Sequence, residues 1–260
     1  MRMVHPPLIS LELDRAIAHV VRAPRLLVAC DYDGTLARIV DRPEVAAPVT
    51  AAVDALHRLA TLAGTDAAVI TGRSLAGLDA VSSFDARIHR VGSHGAESAD
   101  APPLLLSPAA SDLLAQIVAD LEAVAAQVPG SLVEHKPASA TFHYRTVDDA
   151  LVDSACRAVL GRAGARPGAH VQHGKRVIEI GVVRLDKGGA IDRLRELTSA
   201  DAVVFIGDDV TDEQAFAVLT PSDVGVKVGP GVTAAAHRVD DPSAVASALQ
   251  LIADRRAGHR

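Results

Sequence analysis

The chain has 260 residues, 49% of them hydrophobic, and a formal net charge of −6. That apolar content supports a sizeable core and two compact units, while the acidic balance argues against general nucleic-acid binding, which calls for a basic face. Aromatic residues make up only 2%, with no tryptophan, so stacking platforms for bases or sugars are scarce. Cys30 and Cys156 fall in an expected strand and an expected helix, and they read as reduced, buried thiols. Neither a disulfide framework nor a thiolate metal site can be built from them. The N-terminus, with Pro6, Pro7 and early charges, lacks the apolar region of a signal peptide, and no apolar run reaches spanning length. A soluble, cytoplasmic monomer is the default expectation, with no membrane or nucleic-acid partner.

In chain order, Leu26–Cys30 is an unbroken apolar run that fits a strand buried on both faces. A helix is expected from near Thr50, with Val53, Leu56 and Leu59 on one face, then strands over 67–70 and 88–91. Ala101, Pro102 and Pro103 mark a boundary. Beyond it come a helix over 108–128, strands over 132–136 and 140–145, a helix over 147–162, and strands over 169–173 and 176–180. A helix carrying Ile191, Leu194 and Leu197 follows, then strands over 202–206 and 224–228 and a last helix from about Ser243. The pattern predicts a Rossmann-like α/β core with a parallel sheet and helices on both faces, split as 1–101 and 184–260. A small α+β unit of order α-β-β-α-β-β is inserted at 102–183.

Four polar clusters fall just after expected strands: Asp31 with Asp33, Thr71 with Arg73, Lys187, and Asp208 with Asp209 and Asp212. Each alone has an ordinary structural reading. Asp33-Gly34 and Asp208-Asp209 suit solvated turns, Thr71 suits a helix cap, and Thr211-Asp212-Glu213-Gln214 fits a capping box. Lys187 reads as an exposed first-turn residue, although a lysine there opposes the helix dipole.

Taken together the clusters make one coherent site, because ligands in open α/β sheets collect at the carboxyl ends of strands. Like charges as close as Asp31 and Asp33 need a cation, a proton or a basic neighbour. Asp31, the main-chain carbonyl of Asp33 and Asp208 offer hard oxygen ligands suited to Mg²⁺. A carboxylate at Asp31 can attack phosphorus and form an aspartyl-phosphate. Asp33 can protonate the leaving oxygen and later activate water, and Thr71 and Lys187 can hold phosphoryl oxygens.

Asp31-Tyr32-Asp33-Gly34-Thr35-Leu36 resembles the first motif of the haloacid dehalogenase (HAD) superfamily. Thr71, Lys187 and Gly207-Asp208-Asp209 resemble its second, third and fourth motifs, in order. The second aspartate of the first motif, here Asp33, implies phosphoryl transfer rather than dehalogenation. Several finer blocks resemble the trehalose-6-phosphate phosphatase family: Val69 to Ser74, Gly92-Ser93-His94-Gly95-Ala96-Glu97, Val133 to Lys136, His143-Tyr144-Arg145, Val177 to Ile180 with Lys187-Gly188, and Gly207 to Glu213. One departure is that Gly181-Val182-Val183-Arg184 follows Glu179 where family members often carry a proline, which bears on the hinge more than on the chemistry.

The resemblance implies a Mg²⁺-dependent phosphatase for trehalose 6-phosphate, with Asp31 as nucleophile and Asp33 as acid/base. Asp209 or Asp212 would orient the metal ligands, and the insert would be a mobile cap. Gly72, Arg73, His94, Glu97, Glu134, Lys136, Arg145, Lys175 and Glu179 are the candidate substrate contacts. His143 reads as a core residue beside Phe142 and is left outside the site. Alternatives are a phosphatase for another sugar or glycosyl phosphate, a phosphomutase, and a non-catalytic sensor, against which the pair Asp31 and Asp33 argues.

Overall fold

The structure, a computed structural model, describes residues 9–102 and 104–259. In chain order it contains α1 (Leu11–Val20), β1 (Leu26–Cys30), α2 (Thr50–Leu59), β2 (Thr65–Ile70), α3 (Leu75–Asp79), β3 (Ile88–Gly92) and β4 (Glu97–Ser98). Next come α4 (Pro108–Ala125), β5 (Leu132–His135), β6 (Ser139–His143), α5 (Asp149–Gly161), β7 (His170–Gly174) and β8 (Val177–Gly181). The chain ends with α6 (Lys187–Thr198), β9 (Ala202–Gly207), α7 (Val210–Ala217), β10 (Val224–Val228), β11 (His237–Val239) and α8 (Pro242–Ala257).

The chain divides into two compact units, one formed by the segments up to Ala101 and from Asp186, the other by Pro102–Leu185. Arg184 and Leu185 group with the second unit, where Gln172 Nε2 donates to the Leu185 carbonyl (3.4 Å). Pro103, which the sequence reading placed at the first boundary, and Pro6 and Pro7 lie outside the described residues.

The first unit is built on a seven-stranded sheet of order β11-β10-β9-β1-β2-β3-β4, parallel except for the short antiparallel edge strand β4. β1 lies between β2 and β9, so chain order reverses beside it and the switch-point crevice opens at its carboxyl end. Alternate residues of β1 feed two cores. Leu26, Val28 and Cys30 pack with residues of α1, α2 and α8, whereas Leu27 and Ala29 pack with α6 and α7. Burial on both faces is why the run has no polar alternation.

The second unit is a four-stranded antiparallel sheet, β5-β6-β8-β7, covered on one face by α4 and α5. Ala140, Phe142, Ile178 and Ile180 point into that apolar layer with Ile117, Leu121 and Val159. Strand alternation puts Thr141, His143 and Glu179 on the opposite face.

Some local expectations are corrected. α7 is capped by Asp209, with Asp212 at the third helical position, not by Thr211. The cap sits two residues earlier than expected, and the Asp212 carboxylate reaches back to accept the Asp209 N–H. Leu197 is 58% exposed, because α6 buries the stripe of Lys187, Ala190, Ile191, Leu194 and Thr198. His143 is not a core residue: its Nε2 sits 3.0 Å from Glu134 Oε2 on the polar face. Cys30 is buried and Cys156 only partly so, and both thiols are free.

Candidate active site

The carboxyl ends of β1, β2 and β9 and the first turn of α6 carry the four polar clusters. The Asp31 N–H donates to the Ile206 carbonyl (2.9 Å), continuing the β1–β9 ladder one step past the strand and fixing where the Asp31 side chain emerges. Asp186 caps α6 through the Gly189 N–H (2.8 Å), and the helix then delivers Lys187 inward. Lys187 Nζ bonds Asp31 Oδ1 (2.6 Å) and Asp212 Oδ1 (2.7 Å), and it is 2% exposed. The exposed-lysine reading therefore does not hold, and the two carboxylates explain why a cation is tolerated at this helix start.

The second Asp212 oxygen, Oδ2, accepts the N–H groups of Asp208 and Asp209, both at 2.8 Å. Asp212 is fully buried, and both of its oxygens are engaged in orienting neighbours. Asp31, Asp208 and Asp212 each bring a carboxylate oxygen within 4.8 Å of the others, the one such acidic group among the described residues. With Asp212 committed to Lys187 and the backbone, Asp31 and Asp208 are the pair whose hard oxygens fit a divalent cation. Gly34 (φ +89°) lies so close that a Cβ there would overlap the Asp208 carboxylate. The turn thus needs glycine both for its left-handed backbone and for the space.

Burial pushes the Asp31 carboxyl well above the ordinary range, Lys187 opposes that, and the carboxylates of Asp212 and Asp208 add to it. Burial alone would lower the Lys187 ammonium, but Asp212 and Asp31 outweigh it and hold the group charged. The buried thiol of Cys30, beneath Asp31 and Asp212, is pushed far up and stays neutral.

Asp33 is held apart from this cluster. Arg73 clamps it with a two-pronged bond, Nε to Oδ2 and a terminal nitrogen to Oδ1, both 2.6 Å, and also donates to the Pro43 carbonyl (2.9 Å). The guanidinium lies 5.3 Å from the ring centroid of Tyr32, whose hydroxyl donates to the Ala46 carbonyl (2.7 Å). Thr71 is 1% exposed, and its Oγ1 accepts the Arg73 N–H (3.2 Å).

Gly72 packs under His94, where a Cβ would come within 2.6 Å of the ring. Ser93 (φ +48°) and His94 (φ +54°) both adopt the left-handed conformation, a strained arrangement for side-chain-bearing residues. Glu97 braces it, accepting from Ser93 Oγ (2.5 Å) and the Leu75 N–H (3.3 Å), so this carboxylate serves the loop.

On the polar face of the second unit, Glu134, Thr141, Glu179 and Gln172 stand opposite one another across four strands. Glu179 accepts from Lys136 Nζ (2.6 Å), Ser139 Oγ (2.7 Å) and Thr141 Oγ1 (3.3 Å). Burial pushes Glu134 up, but the His143 bond and the Lys136 charge outweigh it and hold the carboxyl below its ordinary value. Arg145 donates to the Lys175 carbonyl (3.2 Å) at the sheet's end. Sequence reasoning missed Ser139, Thr141 and His143 as partners of the two glutamates. The period-2 alternation with Phe142 was the signal that could have found them. It also missed Lys227, the charged residue in the apolar run of β10, whose Nζ donates to the Asp208 carbonyl.

The trehalose-phosphatase family profile matches residues 29–249. A trehalose-phosphate phosphatase of Mycobacterium ulcerans is 36% identical over 86% of this chain and 60% of its own length. A bifunctional trehalose-6-phosphate synthase/phosphatase of Thermoproteus tenax is 33% identical over 94% of this chain and 34% of its own. The chain thus spans 60% of the length of the first of these relatives and about a third of the second. In fold it matches the C-terminal domain of a Candida albicans trehalose-6-phosphate phosphatase, with a TM-score of 0.79 at 23% identity over 96% of this chain and 99% of that one. A HAD-superfamily phosphatase from Bacteroides thetaiotaomicron matches with a TM-score of 0.52 at 16% identity over 88% and 95% of the two chains. The chain belongs to the trehalose-phosphatase family, on the fold of the HAD superfamily.

Proposed function

We propose that the chain is a Mg²⁺-dependent phosphatase that hydrolyses trehalose 6-phosphate to trehalose and phosphate. The observation that carries this reading is the buried triad of Asp31, Lys187 and Asp212, with Asp208 beside it and Asp33 held separately by Arg73. It supports reading Asp31 as the nucleophile, Lys187 as a fixed cation for phosphoryl oxygens, and Asp33, two residues away, as the second acid.

Asp31 attacks phosphorus, the P–O bond to the sugar breaks, and the leaving oxygen takes a proton from Asp33, which carries it on an oxygen released from the Arg73 clamp. A water then gives a proton back to Asp33 and attacks the aspartyl-phosphate, releasing phosphate and restoring Asp31. Lys187 and Thr71 hold the equatorial oxygens. Asp31, Asp208 and the Asp33 carbonyl would hold Mg²⁺, which screens the repulsion between carboxylate and phosphate and polarises phosphoryl oxygens. General acid–base help accounts for about 10²–10⁴-fold, so most of the acceleration falls to charge stabilisation and the covalent route.

For the sugar, the polar row of the inserted unit is the recognition surface we propose, with Glu134, Lys136 and Glu179 as hydroxyl partners and Arg145 and Lys175 flanking them. Within the core unit, His94 and the Gly72 backbone are assigned as sugar contacts. Arg73 and Glu97, by contrast, are reassigned to positioning Asp33 and the Ser93–His94 loop. Among the described residues no helix is long and apolar enough to cross a membrane. The free thiols fit the reducing cytoplasm, where we place the protein as a monomer.

A phosphate-release screen over sugar phosphates, with Mg²⁺ and with chelator, tests the assignment. Trehalose 6-phosphate is expected to be turned over fastest, and only with metal. Equal turnover of glucose 6-phosphate overturns the specificity, and full activity of Asp31→Asn overturns the covalent route.

A further inference from the structure

Lys227 lies near the carboxyl end of β10, in register with Gly207 of β9, so it stands next to the Asp208 turn. The other β10 residues are Val224, Gly225, Val226 and Val228, and all five are buried. Lys227 itself is 4% exposed. Its Nζ donates to the main-chain carbonyl of Asp208, and Glu213 Oε1 lies 3.8 Å away. Glu213 is anchored in turn, with Oε2 accepting the Ala234 N–H (2.8 Å).

Taking an ammonium out of water is costly, and a strand end that needed only filling would be better served by an apolar side chain. What Lys227 grips is the carbonyl of the residue whose carboxylate faces Asp31. The N–H of the same residue is tied to Asp212 Oδ2 (2.8 Å). With both main-chain polar groups of Asp208 fixed, only side-chain torsions remain to aim its carboxylate. An ammonium beside a divalent cation repels it, so the useful contribution of Lys227 is its hydrogen bond. Glu213 serves as the counter-charge that offsets the repulsion.

We infer that Lys227 is a positioning residue for the divalent-cation site: it acts through the Asp208 main chain and holds that carboxylate in its ligand pose. The inference rests on the reading of Asp31 and Asp208 as the metal-holding pair.

Calorimetric Mg²⁺ titrations of the full chain and of its Lys227→Met and Lys227→Gln variants, each with its metal-free melting temperature, test it. Removing a residue that orients a metal ligand weakens affinity by about 10–100-fold, so the Mg²⁺ Kd of Lys227→Met is expected to rise at least about tenfold. Lys227→Gln keeps an N–H donor for the carbonyl and is expected to show a smaller rise. The kcat for phosphate release recovers at high Mg²⁺ while KM for the sugar phosphate stays constant. Unchanged Kd values in both variants, with only a lowered melting temperature, would mark a structural lysine and overturn the inference. Tighter binding in Lys227→Met would overturn it as well, by showing that charge repulsion outweighs positioning. Should Lys227→Met fail to fold, Glu213→Gln decides: a severalfold rise in Kd supports the inference, and none overturns it. Absence of saturable Mg²⁺ binding in the unmodified chain overturns the metal-site reading itself.

Discussion

Lys187 Nζ sits 2.6 Å from Asp31 Oδ1, and the two side chains are 2% and 6% exposed. The same ammonium bonds Asp212, whose side chain is 0% exposed, so one buried cation serves two carboxylates from different elements. Lys187→Met leaves Asp31 and Asp212 without a cation in a water-poor pocket. Removing one member of such a group costs about 3–5 kcal/mol, and in the proposed role, losing a fixed phosphoryl donor costs about 10²–10³ in kcat. Denaturant unfolding and phosphate release measure the two losses, and wild-type kcat in this variant would take Lys187 out of the site.

Metal binding is expected to release protons. Burial, with Asp212 and Asp208 nearby, raises the Asp31 carboxyl, so a proton held there must leave before a cation is bound. The sign follows: Mg²⁺ affinity weakens as pH falls through the raised value and levels off above it. Calorimetry in buffers of different ionisation enthalpy reads the proton count directly, and no buffer dependence would contradict the prediction.

Arg73 holds Asp33 through a two-pronged bond that a lysine cannot reproduce. Arg73→Ala is expected to lower kcat by up to about 10²-fold, the lower range of acid–base catalysis. Arg73→Lys is expected to recover little of it. Steady-state kinetics check both, and a change confined to KM would return Arg73 to direct substrate binding.

Gly34→Ala combines a left-handed backbone with overlap on Asp208. The backbone conformation alone costs an alanine about 1–2 kcal/mol, and the overlap displaces the carboxylate proposed to hold the metal. The variant is expected to fold and to lose the Mg²⁺-induced rise in melting temperature.

Asp223 links strand and helix in the core unit. It accepts from the Val203 N–H (2.7 Å), the Thr220 N–H (2.7 Å) and Arg195 (2.5 Å). Burial would raise its carboxyl, but Arg195 and these N–H groups outweigh it and hold it below the ordinary value. A lowered folded value means stability that is present above the unfolded carboxylate range and lost as pH falls through the folded one. Asp223→Asn is expected to cost about 1–3 kcal/mol at neutral pH and to flatten the acid limb of the stability profile. Unfolding curves across acid pH decide it.

Legibility followed physical cause. β1 and β9 read plainly because burial on both faces leaves unbroken apolar runs, Leu26–Cys30 and the stretch before Gly207. α1 went unexpected, being a ten-residue helix started by a single Ser10 cap, and β4 and β11 are too short to carry a period. Within the site, residue types and their order marked Asp31, Asp33, Thr71, Lys187 and Asp208, because each follows a strand or opens a helix.

By itself the sequence determined which side chains leave the carboxyl ends of the strands, since apolar runs end abruptly at each of them. It also determined the family, through motifs spread over most of the chain. Only the tertiary structure decided the partnerships. Asp212 bonds Lys187 and two backbone N–H groups, Arg73 belongs to Asp33, Glu97 braces a loop, and Lys227 grips the Asp208 carbonyl. These contacts join residues from separate elements, in several cases far apart in the chain, and they depend on sheet register and helix rotation. Chain spacing carries no record of either.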